Sequence, residues 1–426
     1  MVNEDSYLVP PKLLEAFRRD GVVVLPGVFT EEEILEAKTG LATTLKIHEV
    51  DVQDLEKTAG NLRKLSTTGG SGGVLDIFYA PWKLRLSENP RFFSAISQLW
   101  AATYAEGRAS SKGGVCMDVR RGTMEGQGEE REEERGIDAT DDEQPLYAHP
   151  HGPFDPRRGY FYLDRCGFRV PDRISAQHAK GKRPLQRSLT PHLDCCPAAL
   201  YTSDKAVPRW RPVQSFVALT DNLGPQTGGF ECVKGWHRTF QSWADHRPTC
   251  RQTGKAAPCV GDFTPIRPVE DAEVIARFAP VYYQAGSVIA FDWRIPHANA
   301  THHVGPEPRQ VSYASFLPDV PVNREYARRQ AQRFYNGLQP DDQWKENSDS
   351  REVYGDGSVF EFSDLGRRLL GFGAEEVSLR AENEIGALER GDAGREDNLC
   401  RFSGRRQPGD PCSAGQKREC GKQGCT

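Results

Sequence analysis

No stretch of this chain is apolar for anything near the roughly 20 residues that a bilayer span requires. The longest apolar runs, such as Gly21–Val28, are far shorter, so a membrane partner is not expected. Met1–Lys12 carries acids and two prolines but no apolar h-region, and Gly421–Thr426 is neither a prenylation box nor a peroxisomal tripeptide. No secretory leader or lipid anchor is therefore expected, and a cytoplasmic location is. Hydrophobicity is also scarce: 37% of the 426 residues are hydrophobic and the mean hydropathy is −0.62. That is low for a chain packed from end to end, so part of it is expected outside any core. Paired metal-type cysteines are missing too. The eleven cysteines include no Cys-x2-Cys pair, and an odd count without a leader points to free thiols in a reducing compartment. Cys400, Cys412, Cys420 and Cys425 near the end could suggest zinc, but their wide, uneven intervals favour free thiols on a tail. Basic excess is absent as well. The formal net charge is −5, and residues 124–144 hold ten acids against two bases. Without that run the chain is close to neutral, so no nucleic-acid partner is expected.

What is present begins with a helix–strand–helix order. Leu13, Leu14 and Phe17 have helical spacing over Pro11–Arg19, and Gly21 stops the helix. Val22–Leu25 predicts a strand. Thr30 followed by Glu33 predicts a capping box for a helix running to about Lys46. Ser66–Gly73 reads as a loop, and Asn89–Tyr104 as an amphipathic helix with Phe92, Phe93, Ile96, Leu99 and Trp100 on one side. The acidic run has no apolar period and predicts a disordered surface insertion, 120–146, with a docking site for a basic partner as the alternative. From Gly159 short β-type runs recur between turn residues: Gly159–Leu163, Val213–Leu219, Phe230–Val233, Val281–Tyr283, Ser287–Asp292 and Gln310–Phe316. Such spacing predicts a sandwich or barrel. Helices are expected at Arg324–Asn336 and Ser363–Leu370. The expected layout is a catalytic domain over 1–378, the insertion within it, and a polar, cysteine-containing, disordered tail over 379–426.

Ten histidines are present, and only His192 begins a His-x-Asp/Glu pattern. On an extended backbone His192 and Asp194 share a face, so both can bind one metal ion. A third ligand is expected from His297, just past the strand Ser287–Asp292. His302 and His303 lie nearby but in a turn-like run with Gly305, Pro306 and Pro308, which suits a solvated loop or the pocket rim. Two imidazoles and one carboxylate on one face leave three open positions, the arrangement suited to iron(II) oxygenases. There 2-oxoglutarate would chelate two positions and O2 would take the third. The distal carboxylate of oxoglutarate needs a fixed cation, and Arg309, twelve residues after His297, offers a planar bidentate fork.

Taken together, these segments resemble the phytanoyl-CoA dioxygenase-like oxygenases. The resemblance is carried by Phe17-Arg-Arg-Asp-Gly-Val-Val-Val-Leu-Pro-Gly-Val28, Pro191-His-Leu-Asp194, Val213-Gln-Ser-Phe-Val-Ala-Leu-Thr-Asp221, Thr227-Gly-Gly-Phe-Glu-Cys-Val-Lys-Gly-Trp-His237, Ile295-Pro-His297 and Arg309. It covers most of 12–375 outside the insertion. It implies a mostly β fold with flanking helices around a double-stranded β-helix (jelly-roll, cupin-like) core. It implies an iron(II)- and 2-oxoglutarate-dependent dioxygenase that hydroxylates a small molecule, consuming O2 and releasing succinate and CO2. His192, Asp194 and His297 match the iron ligands and Arg309 the oxoglutarate arginine. Asn299 stands where a hydroxyl residue often touches oxoglutarate, a departure that keeps a donor. In related halogenases a small residue replaces the carboxylate, so Asp194 points to hydroxylation or another oxidation. No CoA-recognition residues are traceable, so phytanoyl-CoA is not implied, and the oligomeric state is open.

Plainer readings stand beside these. His192 and Asp194 could form a structural hydrogen-bonded pair. His237 follows Gly235-Trp236 and reads as structural rather than as a fourth ligand. His149 and His151 flank Pro150 in a loop, where pairs of histidines usually bind nothing. Cys195 and Cys196 read as small, partly buried side chains or as part of the pocket mouth. Arg209-Trp210-Arg211 either meets an anionic substrate at the mouth or snorkels over the rim. The whole chain could instead be a catalytically silent oxoglutarate-binding or interaction protein of the same fold.

Overall fold

The structure, a computed structural model, describes residues 6–107, 146–197, 208–246, 263–340 and 360–371. All of these fall within Met1–Phe372, one of two units into which the chain divides; the other is Gly373–Thr426. Apart from Leu146, the expected insertion at 120–146 lies outside the described residues, as does the expected tail at 379–426.

Helix α1 spans Pro11–Asp20 and ends where Gly21 enters the left-handed region at φ 68°, its N–H bonded to the Phe17 carbonyl at 2.8 Å. Strand β1, Val22–Leu25, has the expected bounds. Helix α2, Glu31–Ile47, opens with the capping box: Thr30 Oγ1 accepts from Glu33 N at 3.2 Å, and the Glu33 carboxylate accepts from Thr30 N at 2.8 Å. A cap of this kind stabilises a helix by about 1 kcal/mol. The same Glu33 carboxylate accepts from Asn89 Nδ2 at 2.8 Å and pairs with Arg91. It thereby ties α2 to the helix Pro90–Ala102, whose Phe92, Phe93, Ile96, Leu99 and Trp100 are buried as their spacing predicts.

The remaining strands are β2 (Val74–Leu75), β3 (Gly159–Arg169), β4 (His192–Leu193), β5 (Val213–Ala218), β6 (Phe230–Cys232), β7 (Thr264–Pro265), β8 (Ala279–Pro280), β9 (Val288–Asp292), β10 (His297–Asn299) and β11 (Arg309–Pro318). They form two antiparallel sheets, β1-β9-β5-β11-β3-β2 and β7-β4-β10-β6-β8. The first is built on long strands rich in β-branched and aromatic residues; β5 and β9 are buried along their whole length. The second is made of strands of two or three residues.

Three expectations change. First, the described residues hold more helix than strand, so the fold is mixed rather than mostly β. Helices such as Pro81–Ser87, whose Trp82, Leu84 and Leu86 are buried, had no clear apolar period. Second, neither sheet closes into a barrel. β1 and β2 are the outer strands of one, and β7 and β8 of the other. Third, the expected strand Val281–Tyr283 is displaced: the ladder runs through Ala279–Pro280, and Tyr283 makes only an isolated bridge to Asn222. The expected strand at Gly159–Leu163 continues to Arg169 because its partner β11 is ten residues long. Within that pair Ser312 faces Cys166 and Ala314 faces Leu163. Asp164 and Arg165 therefore stand against Tyr313 alone, a β-bulge that re-aims side chains. The helix expected at Arg324–Asn336 starts earlier, at Pro321, and Asp364–Leu370 is capped by Ser363 and stopped by Gly371.

Candidate metal centre

The site is built where the short-strand sheet meets the long one. In the β4–β10 ladder His192 lies directly opposite His297. Asp194 follows the end of β4, so His192 and Asp194 flank Leu193 with the i, i+2 relation that the pattern predicts. The ligand atoms of His192, Asp194 and His297 all lie within 4.8 Å of one another. Each imidazole Nε2 is 3.5 Å from an Asp194 oxygen, His192 from Oδ1 and His297 from Oδ2.

Both rings are held from behind. His192 Nδ1 donates to the Thr190 carbonyl at 2.7 Å and His297 Nδ1 to the Ile295 carbonyl at 3.0 Å. A carbonyl only accepts, so the ring proton sits on Nδ1 and each Nε2 presents a lone pair. That is the tautomer a metal ligand needs. Burial, with His297 close by, pushes His192 down to about 4, which keeps it neutral near pH 7. Burial alone would raise Asp194, but its close neighbours His297 and His192 and the Arg211 guanidinium outweigh it and hold the carboxyl below its usual range. Arg211 Nη2 lies 3.4 Å from Asp194 Oδ2.

A rigid turn delivers His297. Asp292, fully buried at the end of β9, accepts from Arg294 N at 3.0 Å, Arg294 Nε and Nη2 at 2.8 Å and Tyr104 Oη at 2.5 Å. Arg294 Nη1 donates to the Leu146 carbonyl at 2.7 Å. Gly21 lies against the same turn; a Cβ there would stand 2.7 Å from Ile295 Cδ1. This network was not read from the sequence. Asp292 and Arg294 carry no motif, and their partner Tyr104 is distant in the chain.

The three residues line a cavity of about 490 Å3 that reaches both sheets. Arg309, the first residue of β11, lies in its wall and is 3% exposed. Its Nε donates to Tyr283 Oη at 2.8 Å, it hydrogen-bonds Tyr313, and its guanidinium sits 5.5 Å from the Phe216 ring centre. Burial would lower its pKa, but the two tyrosines hold it up. Its Nη1 is buried with no partner among the described residues, and so is Gln214 Nε2 in the same wall. Asn299 also lines the cavity, and its buried Oδ1 has no partner there. The Ser66–Gly73 loop contributes Thr67, Thr68 and Ser71 to the lining. At Gly72, φ 65°, a Cβ would lie 3.0 Å from both Asn299 Oδ1 and Leu189 Cβ, so the loop packs tightly here.

This donor set fits a divalent metal of the iron(II) type: two neutral nitrogens and one carboxylate on one side. The orphaned Arg309 donor, in a wall with tyrosine hydroxyls, fits the far carboxylate of a ligand that shares the cavity with the metal site.

The other histidines lie elsewhere. His237 Nε2 donates to the Arg18 carbonyl at 3.1 Å, and the ring stacks on Tyr147. His149 Nε2 meets the Tyr104 carbonyl at 2.8 Å, and His149 and His151 pack on Trp210 at 4.4 and 4.8 Å. His302 is exposed, with Nδ1 3.3 Å from Asp172, whereas His303 is 3% exposed. The expectation of a solvated loop therefore fails for His303, which bridges Thr227 and packs against Gly228 and Gly305. Cys195 is buried, Cys196 half-buried, and neither lines the cavity. Trp210 is buried, while Arg209 and Arg211 on either side of it line the cavity.

Among the described residues, no helix is long and apolar enough to cross a membrane. A scan against protein-family models finds no match, and a search of curated proteins finds none. Solved structures do resemble the chain. The GlcNAc Inducible Gene 2 protein, GIG2 (DUF1479), from Candida albicans is 12% identical over 92% of this chain and 84% of its own, with TM-score 0.57. The hypothetical protein JW0805 from Escherichia coli is 14% identical over 86% of this chain and 82% of its own, with TM-score 0.52 at high pH. At these identities the likeness is one of fold.

Proposed function

We propose that this chain is an iron(II)- and 2-oxoglutarate-dependent dioxygenase that hydroxylates a small-molecule substrate. The same reading gives it the double-stranded β-helix core and the membership that its resemblance to the phytanoyl-CoA dioxygenase-like oxygenases implies. Its catalytic domain would be 1–378, with an acidic insertion at 120–146 and a tail at 379–426. The observation that carries the reading is one cavity holding two imidazoles aimed by backbone carbonyls, one ionised carboxylate, and a buried arginine with an unpartnered N–H.

When bound, iron(II) with oxoglutarate and O2 supplies the oxidising power, at the cost of oxoglutarate going to succinate and CO2. The chain supplies position. His192 and His297 hold two sites on the metal with rings fixed by the Thr190 and Ile295 carbonyls. Asp194 gives the anionic ligand, and Arg211 steadies it through one carboxylate oxygen. Arg309, braced by Tyr283, binds the distal carboxylate of oxoglutarate, and Asn299 offers its amide to the same ligand. Phe216, Phe230 and Phe291 line the same cavity and give it apolar surface.

Purified full-length protein should bind one iron(II) per chain and convert oxoglutarate to succinate under air. Protein that binds oxoglutarate but forms no succinate with any fraction of a metabolite extract would be a silent binder. Protein that takes up neither iron(II) nor oxoglutarate overturns the reading.

A further inference from the structure

Three glutamines are buried among the described residues, and the fold uses two of them in full. Gln186 Oε1 accepts from Val170 N and its Nε2 donates to the Phe168 carbonyl, both at 2.8 Å. Gln330 Oε1 accepts from Leu163 N and its Nε2 donates to the Phe161 carbonyl, both at 3.0 Å. Gln214 is equally buried, at 3% exposed, but its Nε2 has no hydrogen-bond partner among the described residues. Burying an amide donor without an acceptor is unfavourable, and an apolar side chain would suit a strand that is buried along its whole length. A donor kept in the cavity wall instead fits an acceptor on a ligand.

The strand shows where that acceptor would lie. Side chains two residues apart share a face, so Gln214 and Phe216 line the same cavity roughly 6.5 Å apart along β5. Phe216 belongs to the arginine end. It pairs with Tyr313 of β11, and the Arg309 guanidinium lies 5.5 Å from its ring centre. Gln214 belongs to the metal end. It pairs with Phe291 of β9, whose ring centre is 4.7 Å from that of His297. The charge of the acceptor follows from the surroundings. Phe230, Phe263 and Phe291 share this wall with Asp194, and Arg211 is already set between Asp194 and Asp164. A further anion met by one neutral amide and phenyl rings would be a poorly compensated buried charge; an uncharged oxygen would not.

We propose that Gln214 binds the substrate: its Nε2 donates to an uncharged oxygen, a carbonyl or a hydroxyl, and so holds a neighbouring carbon of the substrate towards the metal ligands. This inference rests on the oxygenase reading and deepens it to a substrate class, a neutral oxygenated molecule small enough for a cavity of about 490 Å3 that also takes oxoglutarate. A site built around such a donor discriminates against analogues that lack the oxygen, because they leave the donor unpaired.

The test uses the full chain loaded with manganese(II) and oxoglutarate under nitrogen, so that Arg309 is already engaged. Calorimetric titrations follow with benzamide, benzyl alcohol, ethylbenzene and benzoate, on the wild type and on Gln214→Met, which keeps the side chain unbranched. Gln214→Leu is a second apolar variant. The affinity of benzamide or benzyl alcohol relative to ethylbenzene should fall about tenfold in the variants; taking this ratio between proteins cancels the different hydration of the probes. The probe with the larger fall identifies the oxygen as carbonyl or hydroxyl. Benzoate should bind the wild type at least about tenfold more weakly than benzamide. Manganese and oxoglutarate affinities should not change, and the ligand-free variants should melt no lower than the wild type, since an unpaired amide is replaced by apolar atoms. An unchanged ratio in both variants, no binding of benzamide or benzyl alcohol, or benzoate binding as tightly as benzamide overturns the proposal. So does weaker oxoglutarate in the variants, which would put Gln214 in the co-substrate site, or a lower melting temperature in both, which would make it structural. All of these leave the oxygenase reading intact. If manganese and oxoglutarate fail to bind the wild type, both fall together.

Discussion

The two sheets do different work with different means. The long-strand sheet holds itself together: β11 pairs with β3 over nine residue pairs and with β5 over three, and β5 and β9 are buried throughout. The short-strand sheet has little of its own. β4 meets β10 through the single pair His192–His297, and β10 meets β6 through three. Its geometry comes from side chains and turns: the Asp292–Arg294–Tyr104 network, the Nδ1–carbonyl bonds and the tight Gly72 loop. Arg309, the proposed oxoglutarate arginine, stands on the self-supporting sheet, and His192 and His297, proposed metal ligands, stand on the one that needs help. A ligand cluster on short strands gains most from the ion it binds, because metal binding is then also local folding.

Removing a ligand should break the comparison most sharply. His297→Ala and Asp194→Gly should each lose iron and lower succinate formation by more than about a hundredfold, beyond the loss typical of outer-shell changes. Arg309 and the long sheet should be untouched, so oxoglutarate-analogue affinity in the metal-free protein should stay the same. Iron content and a direct titration read both quantities; retained iron in His297→Ala would transfer the ligand role elsewhere. Arg309→Lys is the mirror case. It should weaken oxoglutarate by about ten- to a hundredfold, the worth of hydrogen bonds between charged groups, and leave metal affinity nearly unchanged.

Metal should also divide the two sheets in hydrogen exchange. At a hundredfold excess over its Kd, zinc or manganese should stabilise the fold by about 2.7 kcal/mol. Amides of β4 and β10 should slow more than those of β5 and β9; equal slowing in both sheets would show that the short one is no softer. Acid should act through buried histidines. Burial lowers His192 and His303 to about 4 from 6.5, with His297 and Arg169 respectively adding to it. In the unfolded chain each takes up a proton at ordinary pH, while the folded chain refuses it. Stability of the metal-free protein should therefore fall as pH drops from about 6.5 to about 4, by up to about 1.4 kcal/mol per pH unit for each histidine. Melting temperatures across that range check the slope, and His303→Gln should reduce it. The smallest effect belongs to His302→Ala. This residue is exposed, so stability should change by less than about 0.5 kcal/mol, and metal content should not change.

The sequence showed much of this where local rules govern. The Thr30–Glu33 box, the Gly21 stop, Val22–Leu25 and the β5, β9 and β11 cores follow from propensity and apolar period. So does the pairing of His192 with Asp194, since i, i+2 on extended chain is a local relation. What was not legible is non-local or too short to have a period. Two-residue strands such as β4 and β7 have no alternation to read. Proline at 280 argues against a strand, yet β8 forms at an edge, where a missing N–H costs little. Tyr283 and Tyr313 around Arg309, and Asp292 under the His297 turn, are joined by contacts between distant segments. No spacing rule brings them together. The fate of His303 was misread because Gly305 and Pro306 signal a turn but not whether the turn is covered.

The direct opposition of His192 and His297 across one ladder has a consequence in polymer terms. An ion held by both is a reversible cross-link between points about a hundred residues apart in the chain. For a covalent link of that span, the loop-entropy model assigns about 4–5 kcal/mol to the constraint on the unfolded state. Between the two ends lie β5 and β9 of one sheet and β6, β7 and β8 of the other. The ion would thus close a ring that threads both layers, but unlike a covalent link it would be kept only while the chain is folded, so its loss would be felt as a loosening of the folded state.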